Sequence, residues 1–581
     1  MAKVNTPRLN DRILTLKDCF KPSVMESVWR KYVKDGVRNQ SVLDLHDYFD
    51  FHRHERDILK NISNQVIEGV YKPKPYYEIR LEKKYGICRH QLLPSPEDAV
   101  VLQTIVESIA PMIKKAQPSK RAYYSRSHNR HKSEADIDET FPYPWWELWP
   151  EFQKRIYEFS QTFKYVVVTD ISNYFDTVVF QQLRNVLSSY GKVEEVFLDF
   201  LFYMLEFFVW RPDYLPLSGM GLPQLNYDAP RLLGHSFLFE IDKYLNETTD
   251  GNFVRWMDDI DFGVNHKHEA KEILRGLDEL LLTRGLRLNM GKTKILDVNF
   301  AKDYFLPDEN RYLTLMTKRV KRKLKAGEDI NNETKIIRQR FRRFQKKSKA
   351  GRWDKVFGRY FSLSSLSKDK FLQKYVPDVL VESPGLRNQI FKYYKRLGSN
   401  KTSFKHLSSF LLSKDCFDDS TVFGVAKILV DWKINPGMKK IRTEIVKLAK
   451  NTAKRSPTNF IASLWMITKY GSPEELSTFI GSHSRIWKSS CFLSRQVAAT
   501  VPRTRQLPGA YNFIKKTISN AGHLDALRVL DHLNELRNSQ LNRNNRLYIM
   551  HGNNDYETYP LCKFLISYDL LTYKETDPTY R

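Results

Sequence analysis

KYVVVTDISNYFDTV, residues 164–178, and FVRWMDDIDFGV, residues 253–264, decide the reading of this chain. The first opens as a short continuous apolar run that ends in an acid, the pattern of a buried strand with Asp170 at its C-terminal end. A carboxylate there is held in place and partly desolvated. In the second, two short apolar arms flank an acidic tip, which predicts a hairpin carrying Asp258 and Asp259. Adjacent acids between apolar arms are costly unless a cation neutralises them. Magnesium prefers carboxylate oxygens together with substrate phosphates, and phosphoryl transfer with two metal ions uses carboxylates that bridge ions about 4 Å apart. Strand-end acids from two separate segments can supply that arrangement. An Asp–Asp pair alone carries little weight among 67 acids, and Asp418–Asp419 is read as a chance pair on a surface turn.

Working outward, 581 residues that are 41% hydrophobic and 13% aromatic suffice for two to four domains with real cores, and argue against wholesale disorder. The formal net charge of +27 points to a polyanionic partner, nucleic acid ahead of an anionic membrane surface. Five scattered cysteines (Cys19, Cys88, Cys416, Cys491 and Cys562) fit reduced thiols in a cytosolic protein with no structural zinc site. The opening stretch MAKVNTPRLNDRILTL lacks an apolar core of signal-peptide length. The most apolar stretch, VFLDFLFYMLEFFVW at 196–210, is too short to span a bilayer and carries Asp199 and Glu206, so it reads as a buried helix. The expectation is a cytoplasmic protein with no membrane association.

Residues 1–75 read as an N-terminal helical segment. From 76 to 300 strand and helix signals interleave, as in an α+β or α/β domain: YYEIRL, a turn at Tyr85-Gly86 and the return strand RHQLLP, then the helix DAVVLQTIVESIAPMIKKA, and later the amphipathic helix HEAKEILRGLDELLLTRGL. From 301 to 355 the chain is a basic connector. Lys318, Arg319, Lys321, Arg322, Lys323, Arg338, Arg340, Arg342 and Arg343 are candidates for nucleic-acid binding there, with Phe341, Phe344 and Trp353 interleaved; a solvated helix face is the other reading of such a charge run. From 356 to 581 short amphipathic helices follow one another at a loosely regular spacing, which suits a HEAT-like helical-repeat array or an irregular bundle.

Four ordered segments resemble the motifs of reverse transcriptases. TDISNYFDTV resembles the segment with an aspartate followed five residues later by an aromatic. GLPQLNYDAP, Gly221 to Pro230, resembles the glycine-x-proline-glutamine segment; RWMDDIDF resembles the tyrosine-x-Asp-Asp hairpin; and LRLNMGKTK, Leu286 to Lys294, resembles the element that follows it. Upstream, IRLEKKYGICRHQLLPSPEDAVVLQTI is similar to the fingers hairpin and next helix. The resemblance covers residues 76–300 and implies a right-hand palm-and-fingers domain of α+β class. It implies Asp170, Asp258 and Asp259 as catalytic residues, and Asp170, Ile171, Asp258 and Asp259 as the site for two Mg2+ ions, with Mn2+ as an alternative. Phe175 matches the aromatic under the nucleotide sugar, where a ring would clash with a ribose 2′-hydroxyl, so deoxynucleoside triphosphates are the implied substrates. Lys83 (with Lys84 an equal candidate) and Arg89 match the cations that grip the triphosphate. Gln224 matches the residue against the template and incoming base, and Lys292 the lysine beside the leaving pyrophosphate, or equally a surface lysine. Trp256 replaces the hairpin tyrosine, Leu225 the usual glycine after the glutamine, and Ala99 an arginine after the helix-start aspartate. These departures leave templated copying open.

A basic connector and a helical array after the palm resemble bacterial abortive-infection and defence-associated reverse transcriptases. That group implies RNA-directed or template-independent DNA synthesis in antiphage defence, priming from a protein hydroxyl in some members, homo-oligomers, and nucleic-acid partners (DNA product, template RNA or noncoding RNA). The alternatives are a retroelement-type enzyme copying a dedicated structured RNA, and a catalytically idle nucleic-acid-binding scaffold.

Overall fold

The computed structural model describes residues 15–125, 145–212, 214–225, 227–434, 438–538 and 548–549, with the backbone alone at 145–147. The readings of residues 1–14, of Asn226, of Cys562 and of most of the chain beyond 538 lie outside the described residues. The fold is mixed α/β and predominantly helical. Its described strands are β1 (Tyr77–Lys84), β2 (Ile87–Leu93), β3 (Ala122–Tyr123), β4 (Tyr165–Asp170), β5 (Phe253–Trp256), β6 (Asp259–Val264) and β7 (Lys294–Asp297). They form a two-stranded sheet β1-β2 and a five-stranded sheet in the order β3-β5-β6-β4-β7. The chain divides into two compact units, one of Met1–Gln40, His54–Tyr76 and Gln91–Asp303, the other of Ser41–Arg53, Tyr77–His90 and Tyr304–Arg581. The stretch 1–75 is therefore shared between them, and the hairpin expected to belong with the aspartates falls, up to His90, in the second unit.

In the first unit, helix α1 (Pro96–Ala116) starts two residues before the expected Asp98. Ser95 caps it by accepting the Asp98 amide, and Pro96 holds the first turn. Helix α2 (Trp145–Thr162) leads into β4, and the single turn α3 (Tyr174–Thr177) follows it. The apolar stretch becomes α4 (Glu195–Phe208), with Phe197, Leu201, Met204 and Phe208 buried but Val196 and Tyr203 exposed. It is thus one-sided rather than fully buried. Helices α5 (Asp228–Phe237), α6 (Phe239–Thr248) and α7 (Lys267–Thr283) also belong to the unit. β4 lies between β6 and β7 and is antiparallel to both. Its valine run is apolar throughout because both sheet faces are covered. Arg255 of β5 reaches Asp242 of α6 on one face, whereas the next residue, Trp256, packs on Trp149 and Phe152 of α2 on the other.

In the second unit, β1 and β2 turn through Tyr85 (φ 54°) and Gly86 (φ 77°), the pair of positive φ values of a type I′ turn. The basic region forms α8 (Pro307–Lys325) and α9 (Asn331–Phe344), followed by α10 (Trp353–Leu366), α11 (Arg387–Leu397), α12 (Asp419–Asp431), α13 (Pro457–Tyr470), α14 (Cys491–Thr500) and α15 (Leu524–Asn538). Along this stretch α10 packs on α11, α11 on α12, α12 on α13 and α14 on α15. β1 docks on the helices: the Arg80 amide donates to Asp419 at 2.7 Å, and the Tyr77 hydroxyl lies 2.9 Å from that of Thr458. Asp418 and Asp419 are buried, with Asp418 capping α12 and pairing with Arg387, so the surface-turn reading of this pair is wrong. The segment Ser41–Arg53 is clasped by Arg495, whose guanidinium reaches both Asp44 and Asp50 in the interior. No helix among the described residues is long and apolar enough to cross a membrane.

Candidate active site

Asp170 ends β4 directly opposite Asp259, the first residue of β6. Trp256 and Asp259 are also paired, so Met257 and Asp258 are the two residues of a tight hairpin turn. Met257 has φ 55°, the position where such a turn normally takes glycine, and holding a larger side chain there stores about 1–3 kcal/mol of strain. Cross-strand partners share a sheet face. Asp170, Asp259 and, two residues further along β6, the buried Asp261 therefore lie on one face, with Asp258 at its edge.

The turn is fixed from behind by a charge that the sequence reading passed over. Arg255 and Asp242 are both fully buried and joined by two hydrogen bonds of 2.6 and 2.5 Å; a third guanidinium nitrogen donates to the Met257 carbonyl at 2.9 Å. An arginine inside the apolar strand FVRW was the available signal, since a buried guanidinium requires a buried acid.

The Lys-Thr segment lies along Asp170. The Asn289 amide donates to the Asp170 carbonyl at 2.8 Å, the amides of Lys292 and Thr293 return to the Asn289 carbonyl, and the Thr293 hydroxyl meets that of Thr169 at 2.7 Å. This turn delivers the Lys292 ammonium to Oδ2 of Asp170. The other oxygen, Oδ1, is buried without a hydrogen-bond partner. Burial, then the charges of Asp259 and Asp170, push the Asp258 carboxyl above the usual aspartate range. Burial works against the Lys292 ammonium, yet its hydrogen bond to Asp170 and the three aspartate charges hold it above the usual lysine value. Ile171 is buried and bridges Leu288.

Phe175 sits half-buried on α3, its ring edge-on to Tyr174 at 5.5 Å. Its carbonyl accepts the Leu222 amide at 2.6 Å, and the Val178 carbonyl accepts the Gly221 amide at 2.8 Å, so the glycine-x-proline-glutamine segment lies against the segment that follows Asp170. Gly221 is required there, because its φ is 103° and a Cβ would stand 2.9 Å from Val209. Gln224 is held through its backbone carbonyl by the Gln91 amide group. Trp256 is enclosed by Tyr123, Trp149 and Phe152, which uses its bulk in packing.

Lys83 and Arg89 lie on the β1-β2 hairpin within the second unit, Lys83 exposed and Arg89 half-buried. The basic helices also belong to that unit, and their nine named cations have unequal surroundings. Arg319 and Lys323 pair with Glu333, Arg338 with Asp369, and Arg340 with Glu309; Arg342 lies over the Phe371 ring. Lys318, Lys321, Arg322 and Arg343 are exposed and make no ion pair with a described residue. Phe341, Phe344 and Trp353 do not accompany them at the surface. They are buried against one another and against Phe357 and Tyr360, which corrects the reading of aromatics interleaved with phosphate contacts. They form the core on which α8, α9 and α10 assemble.

Among the described residues no group of three or more Asp, Glu, His or Cys side chains is close enough together to hold a metal ion. The donor chemistry nevertheless suits a hard divalent cation. Asp170 offers a buried carboxylate oxygen with no donor, Asp258 is raised by burial and by like charges that a cation would relieve, and the Lys292 ammonium already stands against Asp170 as a positive charge. No protein-family model matches the chain, and no curated protein matches it.

Proposed function

We propose that this chain is a magnesium-dependent nucleotidyltransferase of reverse-transcriptase type that joins deoxynucleotides. The observation that carries this reading is the direct pairing of Asp170 with Asp259 across β4 and β6, with Asp258 on the adjoining turn. Backbone pairing sets two acids from segments far apart in sequence opposite each other at one end of the sheet, and the turn that bears the third is anchored by a buried arginine. Asp170 and Asp258 would hold the ions, supported by Asp259 and the Ile171 backbone; when bound, the ions would neutralise charge on the phosphates and favour ionisation of the attacking hydroxyl. Lys292 keeps its proton on Nζ beside Asp170, which suits it to face a departing pyrophosphate. The Phe175 ring excludes a 2′-hydroxyl, and Gln224 lines the base side. Lys83 and Arg89 are assigned to the triphosphate by resemblance; they belong to the second unit, and the catalytic reading stands on the first unit alone.

A right-hand palm, a helical-repeat C-terminal region, a nucleic-acid partner, homo-oligomers and a place among bacterial defence-associated reverse transcriptases belong to the same proposal and rest on resemblance and charge. The test is incorporation of labelled deoxynucleotides by the wild type and by a double Asp258→Ala, Asp259→Ala variant. Loss of at least about 100-fold in the variant is expected, given the several kcal/mol that such charge stabilisation supplies. Equal incorporation by both proteins sinks the assignment.

A further inference from the structure

Cys491 is the first residue of α14, where the helix dipole favours negative charge. Its sulfur lies 3.0 Å from Nδ1 of His523, and Nε2 of the same ring lies 2.7 Å from the Lys488 carbonyl oxygen. A carbonyl can only accept, so Nε2 carries the ring hydrogen. In the neutral imidazole, Nδ1 is then the acceptor and the thiol is its donor. His523 is itself fixed. Gly522, at φ 68°, turns the chain out of the preceding helix, and the His523 carbonyl accepts the Ala526 and Leu527 amides at the start of α15. Nucleophile, base and orienting acceptor thus stand in hydrogen-bonding sequence on ordered helix ends, with the thiol partly exposed.

We propose that Cys491 and His523 form a nucleophile–base pair, and that, among the described cysteines, Cys491 is the thiol which hydroperoxides oxidise to a sulfenic acid. The sulfur, its proton passed to Nδ1 of His523, attacks one peroxide oxygen. The S–O bond forms as the O–O bond breaks, sulfur loses two electrons to the peroxide, and the departing hydroxide or alkoxide takes the proton from the imidazolium and leaves as water or alcohol. One thiol and one hydroperoxide become one sulfenic acid and one water or alcohol. The other described cysteines are built differently: burial raises Cys19 and Cys88 above the ordinary thiol value and pushes Cys416 up to about 12. They serve as internal references.

The test uses the full-length protein. Alkylation by iodoacetamide is followed cysteine by cysteine by peptide mass spectrometry from about pH 5 to about pH 9, and sulfenic acid formed by added hydrogen peroxide is trapped with dimedone. A thiol whose proton is accepted by a neighbouring imidazole presents more thiolate at neutral pH, so Cys491 should be alkylated several-fold faster than Cys19, Cys88 and Cys416. His523→Gln should change the pH profile of Cys491 alkylation and slow dimedone labelling at Cys491. Continued slow alkylation of Cys416 reports that the variant is folded; should it react quickly, the wild-type profile alone decides. A Cys491 that reacts no faster than Cys88, a profile unchanged in His523→Gln, or no dimedone adduct at Cys491 would overturn the proposal.

Discussion

Replacing Arg255 by Met should destabilise the first unit and silence the site by two separable routes. Arg255 and Asp242 are both fully buried and share two hydrogen bonds, while a third guanidinium contact holds the Met257 carbonyl beside Asp258. Removing the cation alone leaves a carboxylate without its partner in the interior, at a cost of about 3–5 kcal/mol. For a unit of this size that lowers the melting temperature by roughly 6–20 °C. Pairing the change with Asp242→Leu removes the stranded charge. Stability should return to within about 1–2 kcal/mol of wild type, because a buried ion pair replaced by apolar groups is often close to neutral. The turn anchor at Met257 does not return, so deoxynucleotide incorporation should stay depressed in the stable double variant. Circular dichroism melts and a labelled-nucleotide assay on the same three proteins separate the two effects. A single variant that loses less than about 1 kcal/mol, or a double variant as unstable as the single, would refute the account of this pair.

Phe175→Ala should admit ribonucleotides more readily in competition with deoxynucleotides; an unchanged preference would remove Phe175 from sugar selection. Neutralising Lys318, Lys321, Arg322 and Arg343 together should weaken nucleic-acid binding and reduce the slope of log affinity against log salt by about 3 on a single strand. Neutralising Arg319, Lys323, Arg338 and Arg340 should instead lower stability, since each answers an acid of the same unit. His46 is buried against His532, and burial, with Arg495 and Arg528 nearby, lowers its pKa to about 3. A histidine depressed on folding contributes stability that is complete above about 6.5 and lost as the pH falls. The second unit should therefore be about 3 kcal/mol less stable at pH 4 than at pH 8, with His46→Gln flattening that slope between about pH 4 and 6.5, above the window in which Asp50 titrates. An equal slope in the variant would show that His46 is not the responsible group.

What the sequence revealed and what it hid divide along physical lines. The strand ending at Asp170, the hairpin carrying Asp258 and Asp259 and the Tyr85-Gly86 turn rest on local signals: a short apolar run, paired arms and two residues able to take positive φ. The course of residues 41–53 and of the β1-β2 hairpin could not be read in this way. Both are held in the second unit by partners hundreds of residues away, Arg495 for the first and Asp419 and Thr458 for the second. The basic stretch misled for a related reason. Charge density predicted one binding surface, but an α-helix turns its residues in different directions. Phe341 and Phe344 became core, Arg338 and Arg340 found acids, and the exposed remainder is only part of the run.

The register that brings Asp170 opposite Asp259 is itself not specified by the apolar pattern. Where only one sheet face is buried, a slip of one residue exposes the wrong side chains and is penalised. β4 is covered on both faces, and Val166 and Val167, which point opposite ways, are both fully buried. A slipped valine run would bury nearly as well. The pins are the residues that interrupt the pattern. Gly263, opposite Val166, lies under the Phe163 ring, where a Cβ would come within 2.3 Å of a ring carbon, so any other residue of β6 is excluded from that place. Arg255 must stay within reach of Asp242, which fixes β5 against the helices and, through the hairpin, fixes β6. Thr169 and Thr293 meet across β4 and the start of β7. A glycine, a charge and a hydroxyl pair, none of them part of the apolar pattern, thus set the alignment on which the Asp170–Asp259 pairing depends. Gly263→Ala should accordingly disturb the Asp170–Asp259 pairing from four residue positions away, lowering incorporation of nucleotides as well as stability. A variant that lost stability alone, with activity per folded molecule intact, would mean that Arg255 and the threonine pair suffice to hold the register.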